Sequence, residues 1–164
     1  TFDGVHILDG ELVSSKPTIL ITLDDDNKYL PLDDTADFEI YLKDPGGNQK
    51  RIYFKDGNGN DIMKFYPASL PNNSARVEYN PHLKVDGTYE LIVQAKDKSD
   101  NLSGDYEYTI SFEVINRSTI TNVMSYPNPF STCAHFVFTL TGSEAPDNIQ
   151  IQILTITGNL VRTI

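Results

Sequence analysis

Along most of the chain apolar and polar residues alternate with a period of two, and the helical period is almost absent. No twelve-residue window free of Pro and Gly carries apolar residues at i, i+3, i+4 and i+7. The alternation predicts strands over 18–23 (TILITL), 37–43, 51–54, 62–66, 75–79, 88–95 and 106–115. Turn residues separate them. Asp44-Pro45-Gly46-Gly47 ends the second strand, and DGNGN at 56–60 joins 51–54 to 62–66 as a hairpin. Short strands at this spacing predict an all-β, immunoglobulin/fibronectin-like antiparallel β-sandwich over residues 1–116. Tyr89 follows the Asp86-Gly87 turn, so it is either a tyrosine corner, its hydroxyl turned back to the upstream backbone, or a half-buried strand aromatic.

Asn116-Arg117-Ser118-Thr119 breaks the alternation, and the domain boundary is placed there. Beyond it come the Pro127-Asn128-Pro129 turn, strands over 134–141 and 149–156 with a polar turn at 142–148 between them, and a third strand opening at Leu160. Three strands rarely stabilise a domain alone. Residues 117–164 are therefore expected to be part of a second β-sandwich. Its apolar face would lie against the first domain or against a missing half beyond Ile164. The start on Thr1 suggests that an upstream part has been removed.

Tyr126-Pro127-Asn128-Pro129-Phe130, the alternating FVFTL, the IQIQI strand and the TGNLVR turn carry a family resemblance. Residues 119–164 resemble the C-terminal Ig-like module of large exported Bacteroidota proteins, similar to the flagellar-hook-capping Ig-like domain. In that family a Gly- and Trp-Asp-Gly-rich segment and a final GVYLY-type strand follow, and this sequence contains neither. Upstream, TFDGVHILDGELVSSKPTILITLDDDN and DGTYELIVQAKDKSDN resemble the segment preceding that module in giant surface proteins. Some of those proteins carry a gingipain-type cysteine peptidase domain far upstream, as in the type IX secretion sortase. The peptidase active site maps onto no residue here. The resemblance implies a non-catalytic module of a secreted or cell-surface bacterial protein. Its partners would be other domains of the same parent chain, and secretion or surface components.

Charge and composition narrow the classes further. Lys plus Arg number 13 against 23 Asp plus Glu, a formal charge of −10. Such a surface repels phosphate backbones and anionic membranes, so nucleic-acid partners are not expected. No run of 18 apolar residues is present, so no membrane insertion is expected either. Cys133 is the only cysteine, and no intrachain disulfide can form.

Four kinds of chemistry remain to be weighed. Cys133 and His135 would share a strand face, the minimum for a thiol–imidazole pair, but they equally suit a small apolar residue and an amphipathic one. Calcium is the possible cofactor. The acidic loops offer Asp24 and Asp26 (with Asp33, Asp34 and Asp37 nearby), Asp56, Asn58 and Asn60, and Asp97 and Asp100 as candidate ligands. The 56–60 loop departs from the EF-hand pattern at Asp61 and Pro67, and Asp, Asn and Gly are also the ordinary residues of turns. Tyr29, Tyr53 and Tyr66 are the aromatics to consider for a polysaccharide. Asn72-Asn73-Ser74, Asn101-Leu102-Ser103 and Asn116-Arg117-Ser118 match the N-glycosylation pattern, which says little in a bacterial protein.

Overall fold

The computed structural model describes residues 1–142 and 146–164; residues 143–145, inside the predicted polar turn, lie outside the described residues. The first eight strands build two facing sheets. One contains β2 (Ile19–Asp24), β6 (Ser74–Tyr79) and β5 (Met63–Tyr66), in the order β2-β6-β5. The other contains β1 (Glu11–Val13), β8 (Tyr108–Val114), β7 (Gly87–Ala95), β3 (Phe38–Lys43) and β4 (Gln49–Ile52), in the order β1-β8-β7-β3-β4. The chain is all-β, and these residues form the expected immunoglobulin-like sandwich. One pairing is not antiparallel: β1 runs parallel to β8, Leu12 facing Glu113. At three residues, β1 is too short for its alternation to be visible in the sequence.

Period-two patterning sends alternate side chains between the sheets. From β8, Ile110, Phe112 and Val114 point inward and are buried. From β7 come Tyr89, Leu91, Val93 and Ala95, and from β6 Ala75, Val77 and Tyr79. Each of the larger of these side chains, Val, Leu, Ile or Phe, contributes roughly 1.5–3 kcal/mol of transfer free energy. The Phe112 ring stacks on Tyr89, centroids 5.8 Å apart, and meets Phe2 at 4.9 Å. A second aromatic group joins Phe38, Phe54 and Phe65 edge to face.

Tyr89 forms the tyrosine corner. Its hydroxyl donates to the Val85 carbonyl at 3.0 Å and accepts from the Val85 N–H at 3.3 Å. Gly87, at φ 126°, makes the turn before it; an added Cβ would sit 2.9 Å from Pro45. Tyr89→Phe keeps the ring stack and deletes both hydrogen bonds, so a loss of about 1–2 kcal/mol is expected in urea unfolding. A change under a few tenths of a kcal/mol would show that water serves Val85 equally well.

The expected hairpin across 56–60 needs correction. β4 pairs with β3, whereas β5 pairs with β6 in the opposite sheet. Only a small ladder closes the loop itself: Ile62 N–H donates to Phe54 O at 2.8 Å, and Lys55 bridges Asp61. Phe54 explains the crossing, since its ring leaves the β4 line to join Phe38 and Phe65 between the sheets.

The remaining strands form two separate two-stranded ribbons, β9 (Ile120–Tyr126) with β10 (His135–Leu140), and β11 (Gln152–Leu154) with β12 (Leu160–Thr163). β9 was not expected. A register shift explains why: between the Met124↔Val137 and Thr121↔Thr139 pairs, two β9 residues oppose the single β10 residue Phe138. The bulge breaks the alternation that would have marked the strand. Tyr126 therefore closes β9, and Pro127-Asn128-Pro129-Phe130 lies in the β9–β10 connection, after a first strand rather than before it. The predicted strand 149–156 is shorter, although Ile151 and Ile164 exchange backbone hydrogen bonds that extend its pairing.

The boundary segment is anchored on both sides. Asn116 N–H and Nδ2 donate to Asp86 Oδ1 at 2.7 and 3.0 Å, and Nδ2 also donates to Leu83 O. From the far end of β10, the Thr141 hydroxyl donates to Arg117 O at 2.8 Å and the Gly142 N–H to Ile115 O at 3.1 Å. Gly142 sits at φ 107° with Ser118 against it, where a Cβ would fall 2.7 Å from Ser118 Oγ.

Candidate functional site

Asp56 and Asp97 hold their loops in the same way. Asp56 Oδ1 accepts from the Asn58 and Asn60 N–H groups, and Oδ2 from Asn60 Nδ2, all at 2.8 Å. Asp97 repeats this with Ser99 N–H, Asn101 N–H and Asn101 Nδ2, also at 2.8 Å. Asp44 makes the equivalent bonds to Asn48, and Thr155 a reduced form with Asn159. In each loop the fourth residue takes positive φ: Gly47, Gly59, Asp100 and Gly158. The shared pattern is an Asp or Thr, two variable residues, a left-handed residue and an Asn. It is a turn motif, written four times among the described residues and visible in the sequence once the geometry is known. These bonds favour the charged carboxylate. The side-chain amides of Asn60 and Asn101 hold Asp56 and Asp97 below the usual carboxylate range, and the Asn48 N–H does so for Asp44.

The calcium candidates are thus distributed over separate places. Asp56, Asn58 and Asn60 remain in their own turn. Asp100 pairs with Lys96 at 2.6 Å. Two loops distant in sequence do meet: Asp24, Asp25 and Asp26 face Asp97 and Asn101 across a cleft of about 360 Å3, with Lys96 on its wall. Among the described residues, no three His, Cys, Asp or Glu side chains converge in a metal-holding group. Asp33, Asp34 and Asp37 instead surround the ammonium of Lys98, at 3.0, 3.9 and 3.5 Å. The bond to Asp33 leads the effects that raise the lysine pKa.

Asn73 is the residue that organises the acidic loop, and its local sequence marked it only as the middle of a glycosylation pattern. Almost fully buried, it donates through Nδ2 to Asp25 Oδ2, Asn27 O and Leu30 O, and accepts through Oδ1 from the Leu32 N–H at 2.8 Å. Its own carbonyl accepts from Asp25 N–H. One side chain therefore fixes the chain from Asp25 to Leu32.

The remaining candidates stand apart from this cleft. Cys133 is exposed just before β10, His135 opens β10 opposite Tyr126, and no hydrogen bond joins the two among the described residues. Tyr29 is exposed in the loop that follows β2. Tyr53 lies under Arg51, and Tyr66 on the other sheet bonds Glu78 at 3.0 Å and lies under Arg76.

A wider cavity adjoins the acidic cleft. A groove of about 640 Å3 opens along β2, floored by Phe38, Leu91, Val93 and Ala95 from the opposite sheet. Ile21 and Leu23 form its near wall, half-buried although they point toward the core. Leu23, Asp24 and Ser103 line both cavities, so the apolar groove runs directly into the acidic cleft.

The ribbons present the other conspicuous surface. Val123, Met124, Tyr126, Phe136, Val137 and Leu140 on the first ribbon are all more than 40% exposed, as are Leu154, Leu160 and Val161 on the second. No protein-family model, curated protein or solved structure matches this chain.

Proposed function

We propose that the chain is a non-catalytic structural and interaction module of a large exported surface protein, connected with type IX secretion or surface anchoring. The observation that supports this reading best is the exposed apolar surface on both faces of the two C-terminal ribbons. Isolated two-stranded ribbons are marginal in water, and contiguous apolar surface of this kind marks a contact with another polypeptide. The first sandwich supplies a rigid base, and the bonds from Thr141 and Gly142 to the boundary hold the first ribbon to that base. The resemblance of residues 119–164 to the C-terminal modules of exported Bacteroidota proteins points to secretion or surface components as the contact.

The test is deletion of 119–164 from the exported parent in its host. Cell-surface delivery is expected to fall at least about tenfold, a loss of 1.4 kcal/mol or more in partner binding. The remaining sandwich should stay folded, as judged by circular dichroism of purified 1–118. Unchanged delivery would remove the secretion and anchoring role.

A further inference from the structure

We propose that Asp33, Asp34 and Asp37 form a site for a hard divalent cation, calcium before magnesium, and that the Lys98 ammonium holds the place of that cation until it binds. One ammonium stands among three carboxylates, 3.0 Å from Asp33 Oδ1, 3.9 Å from Asp34 Oδ2 and 3.5 Å from Asp37 Oδ2. It marks a position that the fold has made favourable for positive charge. A single positive charge leaves the three carboxylates under-compensated, and a divalent ion neutralises more of them. Asp37 points to the missing ligand. It is 7% exposed, yet its Oδ2, the oxygen facing the ammonium, accepts no hydrogen bond among the described residues. A buried carboxylate oxygen left without a donor is costly, and 3.5 Å is well beyond the length of about 2.7–2.9 Å at which an ammonium bonds a carboxylate. A metal–oxygen bond supplies what Oδ2 lacks.

The backbone fixes the carboxylates and leaves the lysine free to go. All three acids belong to one tight turn. Asp34 caps the 3-10 turn Thr35–Asp37, its Oδ1 accepting from the Ala36 N–H at 2.9 Å and its carbonyl from the Asp37 N–H at 3.3 Å. The Asp37 carbonyl in turn accepts from the Lys96 N–H at 2.9 Å, which ties this turn to the end of β7. Lys98 follows two residues later, in the turn that Asp97 closes through the Ser99 and Asn101 N–H groups. That turn holds its own backbone, so the Lys98 side chain, already 29% exposed, can swing its ammonium into water without moving the chain.

The donor set selects the ion. Carboxylate oxygens alone suit hard cations. Spread around Lys98, the three side chains do not yet converge in a metal-holding group. Calcium at about 2.3–2.6 Å from each oxygen requires them to close in by about 1 Å. Asp33 and Asp34 are exposed and can rotate to do so, while buried Asp37 stays in place. Calcium tolerates such irregular geometry and fills its remaining positions with water, whereas magnesium demands a near-ideal octahedron at about 2.0–2.1 Å. The carboxylates of Asp56 and Asp97 differ, because turn amides already bond both of their oxygens.

The probe is calcium chloride, titrated into the chain by calorimetry and followed by carbon NMR of the Lys98 side chain. The unmodified chain should bind calcium in the millimolar range, with a shift of the Lys98 Cε signal as the ammonium leaves. Lys98→Met keeps the stem and removes the competing charge, so affinity should rise about tenfold or more. Adding Asp33→Asn to Lys98→Met should reverse that gain, and Asp33 is exposed, so the second change does not endanger the fold. Asp37→Asn in the same background should do likewise, provided circular dichroism shows a folded chain. Magnesium should bind each variant about tenfold more weakly than calcium. The proposal is overturned if Lys98→Met binds calcium no more tightly than the unmodified chain, or if the unmodified chain binds it with the Lys98 signal unmoved. It is also overturned if Asp33→Asn leaves the binding of Lys98→Met intact, which would place the ion elsewhere. Magnesium binding as tightly as calcium would overturn the choice of ion. The C-terminal ribbons take no part in this site, so its failure leaves the export reading untouched.

Discussion

Phe112→Ala is expected to destabilise the first sandwich by about 3–5 kcal/mol. No part of the Phe112 side chain is exposed, and it lies between the Tyr89 ring and the Phe2 ring. Removing it forfeits the transfer free energy of a large aromatic side chain. It also leaves a cavity bounded by two ladders, because β8 is paired on one side with β7 and on the other with β1 and cannot collapse inward. Domains of this size have total stabilities of roughly 5–15 kcal/mol, so the variant should sit near the folding threshold at physiological temperature. Urea titration with a far-ultraviolet signal measures the effect. The midpoint should fall sharply with little change in slope, as both states keep nearly the same exposed area. A loss below 1 kcal/mol would mean that Phe2 and Tyr89 close over the space and that the Phe112 contacts are not central to the core.

Asn73→Ala should cost about 3 kcal/mol, an unusually large effect for a residue outside the apolar core. The substitution leaves the Leu32 N–H and the carbonyls of Asn27 and Leu30 without their partner. Each buried group stripped of a partner costs about 1–3 kcal/mol, reduced where water can enter. Leu32 is 1% exposed, so its N–H has the least access to water. Asn73→Asp discriminates between shape and hydrogen bonding. It preserves volume and the acceptor for Leu32, but it replaces the donor by a charge facing Asp25 Oδ2, 3.1 Å away from the present Nδ2. It should be at least as damaging as Ala and should recover partly at acid pH, when a carboxyl can donate. Hydrogen exchange on the 25–32 amides reports the loop directly. Exchange unchanged in both variants would mean that the loop holds itself.

Where one face of a strand is buried, the sequence displays the fold openly. β8 alternates without interruption and β7 departs from alternation only at Ile92, so the pattern alone places both. The strands that the pattern hides have physical reasons for being hidden. β1 is a three-residue strand, and β9 carries the bulge opposite Phe138 that shifts its two faces out of phase. The 51–66 stretch looks like a hairpin because the turn chemistry at Asp56 is genuine, but sheet membership is decided by where Phe54 packs, and that is a long-range contact. The acidic loops show the same limit. Asp, Asn and Gly serve turns and cations alike, and the positions of Asp56 and Asp97 in a repeated turn emerge only from their hydrogen bonds. Asn73 and Lys98 were not distinguished at all. Each draws its role from partners 41–65 residues away (Asp25 to Leu32 for the one, Asp33 to Asp37 for the other), which local pattern does not encode.

The parallel pairing of β1 with β8 also has a mechanical consequence. When the chain is pulled from its two ends, β1 is drawn one way and β8 the other along their shared ladder. In an antiparallel terminal pair the same pull would open hydrogen bonds one at a time, from the end. Here Glu11, Leu12 and Val13 are loaded together against Phe112, Glu113 and Val114, and the bonds between them must yield at once. The short strand thus acts as a shear lock between the ends of the sandwich, resisting tension along the chain more strongly than its three residues would suggest.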